Sequence, residues 1–186
     1  MELLRDILLN GELLEVEKNV QWARRLHKGY AQILLEDREF CALLASYSTE
    51  IERSRAFMEE LGLPGLCSYC ATKIRGGGCC GRQIATWYDP IVLLLNLLMS
   101  VEIPDKSYYE DSCRLLGRDG CSLKARYHFC VNYLCTRIYQ HLHEDAISRL
   151  KSQSGRELFL SWQLELFLMD FFSKKGVTFT DPDIPL

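Results

Sequence analysis

The sequence predicts a mainly α fold, a small helical domain with a loop-rich cysteine cluster site. Apolar residues recur close to every 3.6 positions in the N-terminal part, and a nearly all-apolar run lies near the middle of the chain. We find no convincing pair of strands and no internal repeat. A chain of 186 residues can bury a core of its own, which favours one domain. The predicted domain covers residues 1–186, with a helical part at 1–66, a cysteine-cluster metal-binding region at 67–136, and C-terminal helices with a tail at 137–186.

The first 66 residues are predicted to form helices that end at a glycine. One apolar pattern runs from Leu13 to Leu34, and a second begins near Glu39. The second pattern stops at Gly62 and Pro64. Glycine commonly follows the last turn of a helix and proline cannot continue one, so we expect the helix to end there.

The next segments are predicted as a glycine-rich loop and a buried helix. Residues 67–88 are expected to form a loop. Asp89 and Pro90 then predict a helix start, because aspartate caps the free N–H groups and proline fits the first turn. The stretch from Ile91 to Val101 is apolar nearly all round, which is typical of a central buried helix.

The rest of the chain is predicted as loop, two helices and a tail. A helix is expected to begin near residues 124–130 and to run to about residue 150. Ser154 with Glu157 forms a capping-box signature, which predicts the start of the last helix. That helix is expected to end at residues 174–176, followed by an extended tail at 177–186.

Eight of the nine cysteines lie in one part of the chain. A CxxC pair commonly provides two ligands to one metal centre, since two nearby sulfurs can reach a common point. Eight thiols make two sets of four, the ligand number of a structural zinc site or of an iron–sulfur cluster. The predicted metal ligands are Cys67, Cys70, Cys79 and Cys80, followed by Cys113, Cys121, Cys130 and Cys135.

The sequence leaves the grouping of these ligands open. Adjacent cysteines such as Cys79 and Cys80 tend to point apart, so they can give one sulfur to each of two neighbouring sites. A single four-sulfur site, with the other thiols packed nearby, is the alternative. Cys130 and Cys135 lie about 140° apart around an ideal helix, so they converge on one centre only if a helix starts or bends between them.

Local charge favours an anionic centre in this region. Residues 67–137 carry a formal balance of +3, whereas the remainder of the chain carries −6. Four thiolates around Zn²⁺ or an oxidised 4Fe–4S cluster leave about −2, which nearby cations stabilise. Glycine-rich loops also let backbone N–H groups approach sulfur closely. The alternative is that these cations are solvated loop residues: Lys73, Arg75, Arg82, Arg114, Arg118, Lys124, Arg126 and Arg137.

Composition and the N-terminus indicate a cytoplasmic protein without a nucleic-acid or membrane partner. An odd count of nine cysteines fits a disulfide framework poorly, and Cys41 fits a small buried apolar position within its helix. The N-terminal residues lack the features of a secretory signal, and the longest apolar run falls short of a bilayer span. The formal net charge of −3 gives no reason to expect nucleic acid or an anionic membrane as a partner.

The sequence outside the cysteine cluster gives no clear indication of catalysis. His128 lies two residues before Cys130 and is a possible ligand, a donor to a ligand, or a packing residue. His141 and His143 point to different faces of a helix, which argues against a shared metal. We find no dinucleotide, phosphate-loop or HExxH motif and no nucleophile–base pair. The sequence therefore gives no catalytic residues and does not favour an enzyme.

The cysteine pattern over about residues 66–136 resembles a known family. Cys67-x-x-Cys70 and Cys79-Cys80 are followed by Cys113-x-x-Leu-x-x-x-Gly-Cys121 and Arg126-x-x-x-Cys130-x-x-Tyr-x-Cys135. This order resembles the bacterial CxxCxxCC (YkgJ-like) family, described as zinc- or iron-chelating. Eight residues separate the first CxxC from the paired cysteines, where the family name implies two, and Arg126 precedes tyrosine rather than proline. Some relatives, including the flagellin lysine methylase, are thought to carry an iron–sulfur cluster, so the resemblance implies iron–sulfur over zinc.

We expect a metal-binding protein, and three functions remain open. The first is an iron–sulfur protein with one or two 4Fe–4S clusters, working in electron transfer or redox sensing with an unidentified redox or protein partner. The second is a structural module in which Zn²⁺ coordination holds the loops together and the helices form a protein-interaction surface. The third, implied by the resemblance, is a group-transfer enzyme related to the flagellin methylase. The short chain and the missing nucleotide signature argue against the third function.

Overall fold

A computed structural model describes residues 2–73, 78–109 and 112–177, with side chains from residue 15 onward. Two 3₁₀ segments, Gly78–Cys80 and Arg82–Trp87, and two short strands, β1 (Leu116–Gly117) and β2 (Gly120–Cys121), lie between the helices. The α-helices of the described part are α1 (Glu2–Glu36), α2 (Arg38–Glu60), α3 (Leu63–Lys73), α4 (Pro90–Leu98), α5 (His128–Asn132), α6 (Thr136–His141) and α7 (Glu144–Lys174).

The mainly α prediction is confirmed. Helices carry most of the described residues, and strands contribute only the antiparallel pair β1–β2. Among the described helices, none combines the length and the hydrophobicity needed to cross a bilayer.

The boundary between α2 and α3 follows the local chemistry of the chain. Asp37 caps α2, because its carboxylate accepts a hydrogen bond from the N–H of Phe40 at 2.9 Å. Gly62 has φ +68 and follows the end of α2, as predicted, since glycine adopts this left-handed conformation without strain. Pro64 does not stop helix formation: it lies in the first turn of α3, where its missing N–H costs nothing.

Helix α4 lies in the core, as the sequence predicted. The Asp89 carboxylate accepts hydrogen bonds from the N–H groups of Ile91 and Val92 at 2.8 and 3.0 Å, and Pro90 occupies the first turn. Eight of the nine residues of α4 are buried, and the helix packs against α1 and α7. Each large aliphatic side chain buried in this way stabilises the fold by about 1.5–3 kcal/mol.

Helix α7 starts ten residues before the predicted capping box. It begins at Glu144, with acidic residues in the first turn that complement the helix dipole. Ser154 and Glu157 instead lie in the middle of α7 and are buried. Glu157 belongs to a polar layer where α7 packs against α2, in which the Gln153 amide donates to the Glu50 carboxylate at 2.8 Å. The Ser154 hydroxyl instead donates to the carbonyl of Val131 on the neighbouring short helix at 3.4 Å.

The cysteine region contains more regular structure than predicted. Helix α3 carries the first two predicted ligands, so the prediction of loop over 67–88 is wrong at its start. The long helix predicted from about 124–130 to 150 is replaced by α5 and α6 and the start of α7. The β1–β2 pair was not predicted. Arg75 and the predicted tail beyond residue 177 lie outside the described residues.

Candidate metal centre

Four cysteines come together where α3, α6 and the first 3₁₀ segment meet. Cys67 and Cys70 are three residues apart on α3 and therefore share a face of that helix. Cys79 lies in the segment Gly78–Cys80, which packs against α3. Cys135 is the N-terminal capping residue of α6, which also packs against α3. We call these four cysteines set A.

The thiols of set A interact electrostatically. Burial, with smaller contributions from the charges of the other three thiols, raises the pKa of Cys67 to about 11. Burial also raises the pKa of Cys70, with further contributions from Cys135 and Cys79. Each of these interactions requires proximity, so the four sulfurs share one neighbourhood.

The other four predicted ligands form a second group, set B, of Cys80, Cys113, Cys121 and Cys130. The N–H of Cys113 donates to the carbonyl of Cys80 at 2.8 Å, and the N–H of Leu116 donates to the carbonyl of Cys113 at 2.9 Å. Cys121 lies on β2 and pairs with Leu116 on β1. Cys130 lies on α5. Backbone hydrogen bonds thus tie three of the four cysteines into one small unit.

The thiols of set B also interact with one another. Burial raises the pKa of Cys113 to about 12 and that of Cys130 to about 11, and the charge of Cys121 raises both. The pKa of Cys80 is raised by its hydrogen bond to Cys79 and by burial, with smaller contributions from Cys113 and Cys121. The thiols with raised pKa are protonated at neutral pH, so a metal ion must displace their protons to bind.

The adjacent residues Cys79 and Cys80 join the two sets. A hydrogen bond from the Cys80 thiol lowers the pKa of Cys79 to about 7. The charge of Cys79 also reaches Cys130 of set B. The two sets are therefore neighbours, with one member of the adjacent pair in each.

The chemistry of the donors fits a metal or cluster, although the sulfurs are not arranged around a common point. All nine cysteines are free thiols. Among the described residues, which include all eight predicted ligands, no three His, Cys, Asp or Glu side chains are already arranged to hold a metal ion. Cysteine side chains can change rotamer about χ1 without moving the backbone. Four thiolates are the ligands of structural zinc and of 4Fe–4S clusters, and each set can supply four.

Two of the predicted cations act on these thiols. The Arg126 guanidinium opposes the rise in the pKa of Cys67 and Cys130, and Arg137 does the same for Cys70. Arg114 is buried but is directed elsewhere, because its Nη1 donates to the Glu17 carboxylate at 2.8 Å.

Tyr88 is a contact of set B that the sequence analysis missed. Its ring is fully buried, and its hydroxyl donates to the Sγ of Cys130 at 3.7 Å. Burial raises the pKa of Tyr88 well above its ordinary value, so the hydroxyl keeps its proton. Hydrogen bonds to ligand sulfur tune the potential of an iron–sulfur cluster. No spacing rule singles out this tyrosine, since the contact depends on tertiary packing.

Asn96 positions the chain that leads to Arg126. Its fully buried carbonyl oxygen accepts hydrogen bonds from the N–H groups of Lys124 and Ala125 at 2.8 and 3.0 Å. Its amide donates to the carbonyls of Val92 and Ala125, each at 2.9 Å. The signal for this role was present in the sequence, because Asn96 is the one polar residue that interrupts the apolar run of α4.

His128 and Cys41 lie outside both sets. The His128 side chain is exposed, its ring contacts that of Tyr127, and its charge acts on Glu165. The Cys41 thiol donates to the carbonyl of Leu35 at 3.2 Å. Cys41 is partly exposed, whereas the sequence predicted a buried position.

The comparisons with known proteins found no matching family model, no matching curated protein and no matching solved structure. The resemblance to the CxxCxxCC family thus stays a prediction based on the cysteine pattern.

Proposed function

We propose that this protein binds metal through two four-cysteine centres and functions as an iron–sulfur protein in electron transfer or redox sensing. Set A supplies Cys67, Cys70, Cys79 and Cys135, and set B supplies Cys80, Cys113, Cys121 and Cys130. The observation that carries the proposal is that α3, the first 3₁₀ segment and α6 pack together and bring in the members of set A, while backbone hydrogen bonds join three members of set B. Cys79 and Cys80 fall in different groups. Four thiols per group match the ligand number of a structural zinc site or of a 4Fe–4S cluster.

The surroundings of set B support a redox-active group. A 4Fe–4S cluster exchanges single electrons, and its potential depends on burial and on hydrogen bonds to its sulfurs. Cys113 and Tyr88 are buried, and the Tyr88 hydroxyl supplies such a hydrogen bond to Cys130. Arg126 and Arg137 supply positive charge near the sulfurs, which offsets the negative charge of a loaded centre.

A structural zinc module is the second candidate, and the shortness of the local elements favours it. Helix α5 has 5 residues, α6 has 6, and each strand of the β1–β2 pair has 2. Elements of this length are only marginally stable on their own, and closed four-sulfur zinc sites would stabilise them. In that case the function lies in a protein interface on the helices. Nothing among the described residues supports the group-transfer alternative.

Metal and sulfide analysis of protein purified without oxygen tests the proposal. An iron–sulfur protein is brown, contains about four iron and four sulfide per cluster, and loses visible absorption on reduction with dithionite. Colourless protein with about two zinc ions per chain supports the structural module instead. Protein that binds neither metal after anaerobic reconstitution contradicts both candidates.

A further inference from the structure

Four large apolar side chains form an exposed row along α7, which we call the α7 stripe. Its members are Phe159, Trp162, Leu166 and Met169, whose exposed fractions are 55%, 54%, 45% and 54%. The rings of Phe159 and Trp162 contact each other, with their centroids 6.0 Å apart. The residues of α7 that pack against α2 lie on a different side of the helix. A contiguous exposed apolar patch of this kind often marks an interaction surface.

The α7 stripe has the spacing of a coiled-coil seam. Its members are three, four and three residues apart, which is the alternation of a and d positions in a heptad abcdefg. The first and third members take a, and the second and fourth take d. The seam continues at both ends with small exposed residues, Gly155 at d and Ser173 at a. A Cβ added at Gly155 would meet nothing within 4 Å, so packing within this chain does not require glycine there.

We propose that the α7 stripe binds a second copy of this chain, with the two α7 helices antiparallel about a two-fold axis. Trp162 then faces Leu166 of the second copy, because a positions meet d positions in an antiparallel pair. Phe159 faces Met169 of the second copy in the same way. The small residues at the two ends of the seam also lie opposite each other, so the helices can stay close along its whole length. The dimer does not depend on metal, since α7 carries no predicted ligand.

Charge along the seam favours the antiparallel arrangement. Arg156 and Asp170 each follow a d position, and their side chains are 57% and 63% exposed. In the antiparallel pair Arg156 lies beside Asp170 of the second copy, and the two-fold axis forms this contact twice. Glu165 meets its own copy once, at the axis. A parallel pair instead places Lys151 beside Arg156 and Glu165 beside Asp170, so each of these contacts joins like charges and occurs twice.

The size of the α7 stripe predicts a weak dimer. A large side chain that is half exposed keeps on the order of 100 Å² accessible, so the four together bury roughly 400 Å² on each chain. Both copies therefore contribute roughly 800 Å², whereas a standard stable interface buries about 1,200–2,000 Å². We expect a dimer that dissociates on dilution, with a Kd in the micromolar range or weaker.

Sedimentation equilibrium on the reduced full-length chain measures this association. A reductant prevents disulfides between chains and a chelator prevents bridging by metal ions. The average mass of the wild type is expected to rise from one chain toward two between low micromolar and millimolar concentration. Leu166→Glu places a charge against Trp162 of the second copy and is expected to raise the Kd at least about tenfold. Leu35→Glu is the matched control, because Leu35 is a leucine of similar exposure, 47%, on α1.

Two charge reversals test the antiparallel arrangement. Arg156→Glu and Asp170→Arg each place like charges at both outer contacts, so each variant alone is expected to associate more weakly than the wild type. In an equimolar mixture of the two variants, a dimer with one copy of each has opposite charges at both contacts. The mixture is therefore expected to regain association. A parallel dimer predicts a different result, because Asp170→Arg would then face Glu165 and strengthen binding.

Each outcome decides the proposal. Circular dichroism confirms that the variants are folded, and Asp170→Arg alone carries the charge test if Arg156→Glu does not fold. A wild type that stays monomeric at millimolar concentration overturns the proposal and leaves the α7 stripe to a helix of another protein. A dimer that Leu166→Glu leaves unchanged overturns it as well, and a stronger dimer in Asp170→Arg overturns the antiparallel arrangement. None of these results changes the metal content, which tests the proposed function separately.

Discussion

Replacing Cys79 and Cys80 one at a time separates the two sets. The residues are adjacent and chemically identical, yet the structure gives Cys79 to set A and Cys80 to set B. Serine does not form a thiolate, so each substitution leaves one set with three sulfur ligands. We expect the metal content under chelator competition to fall from about two centres per chain to about one in either variant.

Double variants test whether particular pairs of cysteines belong to the same set. Cys67→Ser with Cys79→Ser removes two ligands from one set, so about one centre is expected to remain. Cys79→Ser with Cys113→Ser removes one ligand from each set, and no centre is expected to survive. Cys41→Ser is the control, since Cys41 lies outside both sets, and it is expected to keep both centres.

The assay is elemental analysis with Co²⁺ absorption on each reduced variant, and circular dichroism confirms that the chains are folded. The grouping is refuted if the variant with both substitutions in set A loses all metal, or if the cross-set variant keeps a full centre. A single site that uses only four of the eight cysteines is also distinguishable. It predicts that substitutions at four positions abolish binding and that the other four change nothing.

Three further predictions follow from the fold. Asn96→Ala removes the hydrogen-bond partners of three backbone groups, the N–H groups of Lys124 and Ala125 and the carbonyl of Ala125. At about 1 kcal/mol for each lost hydrogen bond, the free energy of unfolding is expected to fall by roughly 3 kcal/mol. Urea denaturation measures this change, and Asn132→Ala, at an exposed position, is the control that is expected to leave it unchanged. The hydrogen bond from Gln153 holds the pKa of the Glu50 carboxyl below its ordinary 4.5, so stability present above pH 4.5 is lost as pH falls through the lowered pKa. Glu50→Gln is therefore expected to weaken this acid dependence, whereas exposed Glu52→Gln leaves it unchanged. Chelation of metal is expected to preserve most of the helical circular dichroism signal, since the long helices contain no predicted ligand; its collapse contradicts a core independent of metal.

Local signals predicted the helices that depend on local chemistry. Asp89 and Pro90 start α4, and Gly62 ends α2, because a cap or a left-handed residue acts within one turn. The Ser154–Glu157 signature did not mark a helix start, because a local pattern cannot show whether the chain before it is already helical. The pattern specifies a cap only if the chain is not already helical, and here α7 continues through it and buries both side chains.

The sequence named the candidate ligands but could not predict how the fold groups them. Eight cysteines of defined spacing identify the predicted ligands, because thiols gathered in one region have few other uses. Their grouping depends on where α3, the 3₁₀ segment and α6 pack, which no spacing rule gives. The condition set for Cys130 and Cys135 did hold, since α5 ends at Asn132 between them, yet the two thiols belong to different sets.

Hydrogen bonds from polar side chains to the backbone fix parts of the chain that lie close to the thiol sets in sequence. Asn96 holds the backbone at Lys124 and Ala125, the Arg55 Nη2 donates to the Leu123 carbonyl at 2.7 Å, and the Arg114 Nε donates to the Pro104 carbonyl at 3.0 Å. Each of them comes from a side chain outside the two sets, so none depends on metal. These hydrogen bonds hold the chain at residues 104 and 123–125 without a metal ligand, so less ordering entropy is expected to oppose metal binding there than in a zinc finger, whose fold forms only with its metal.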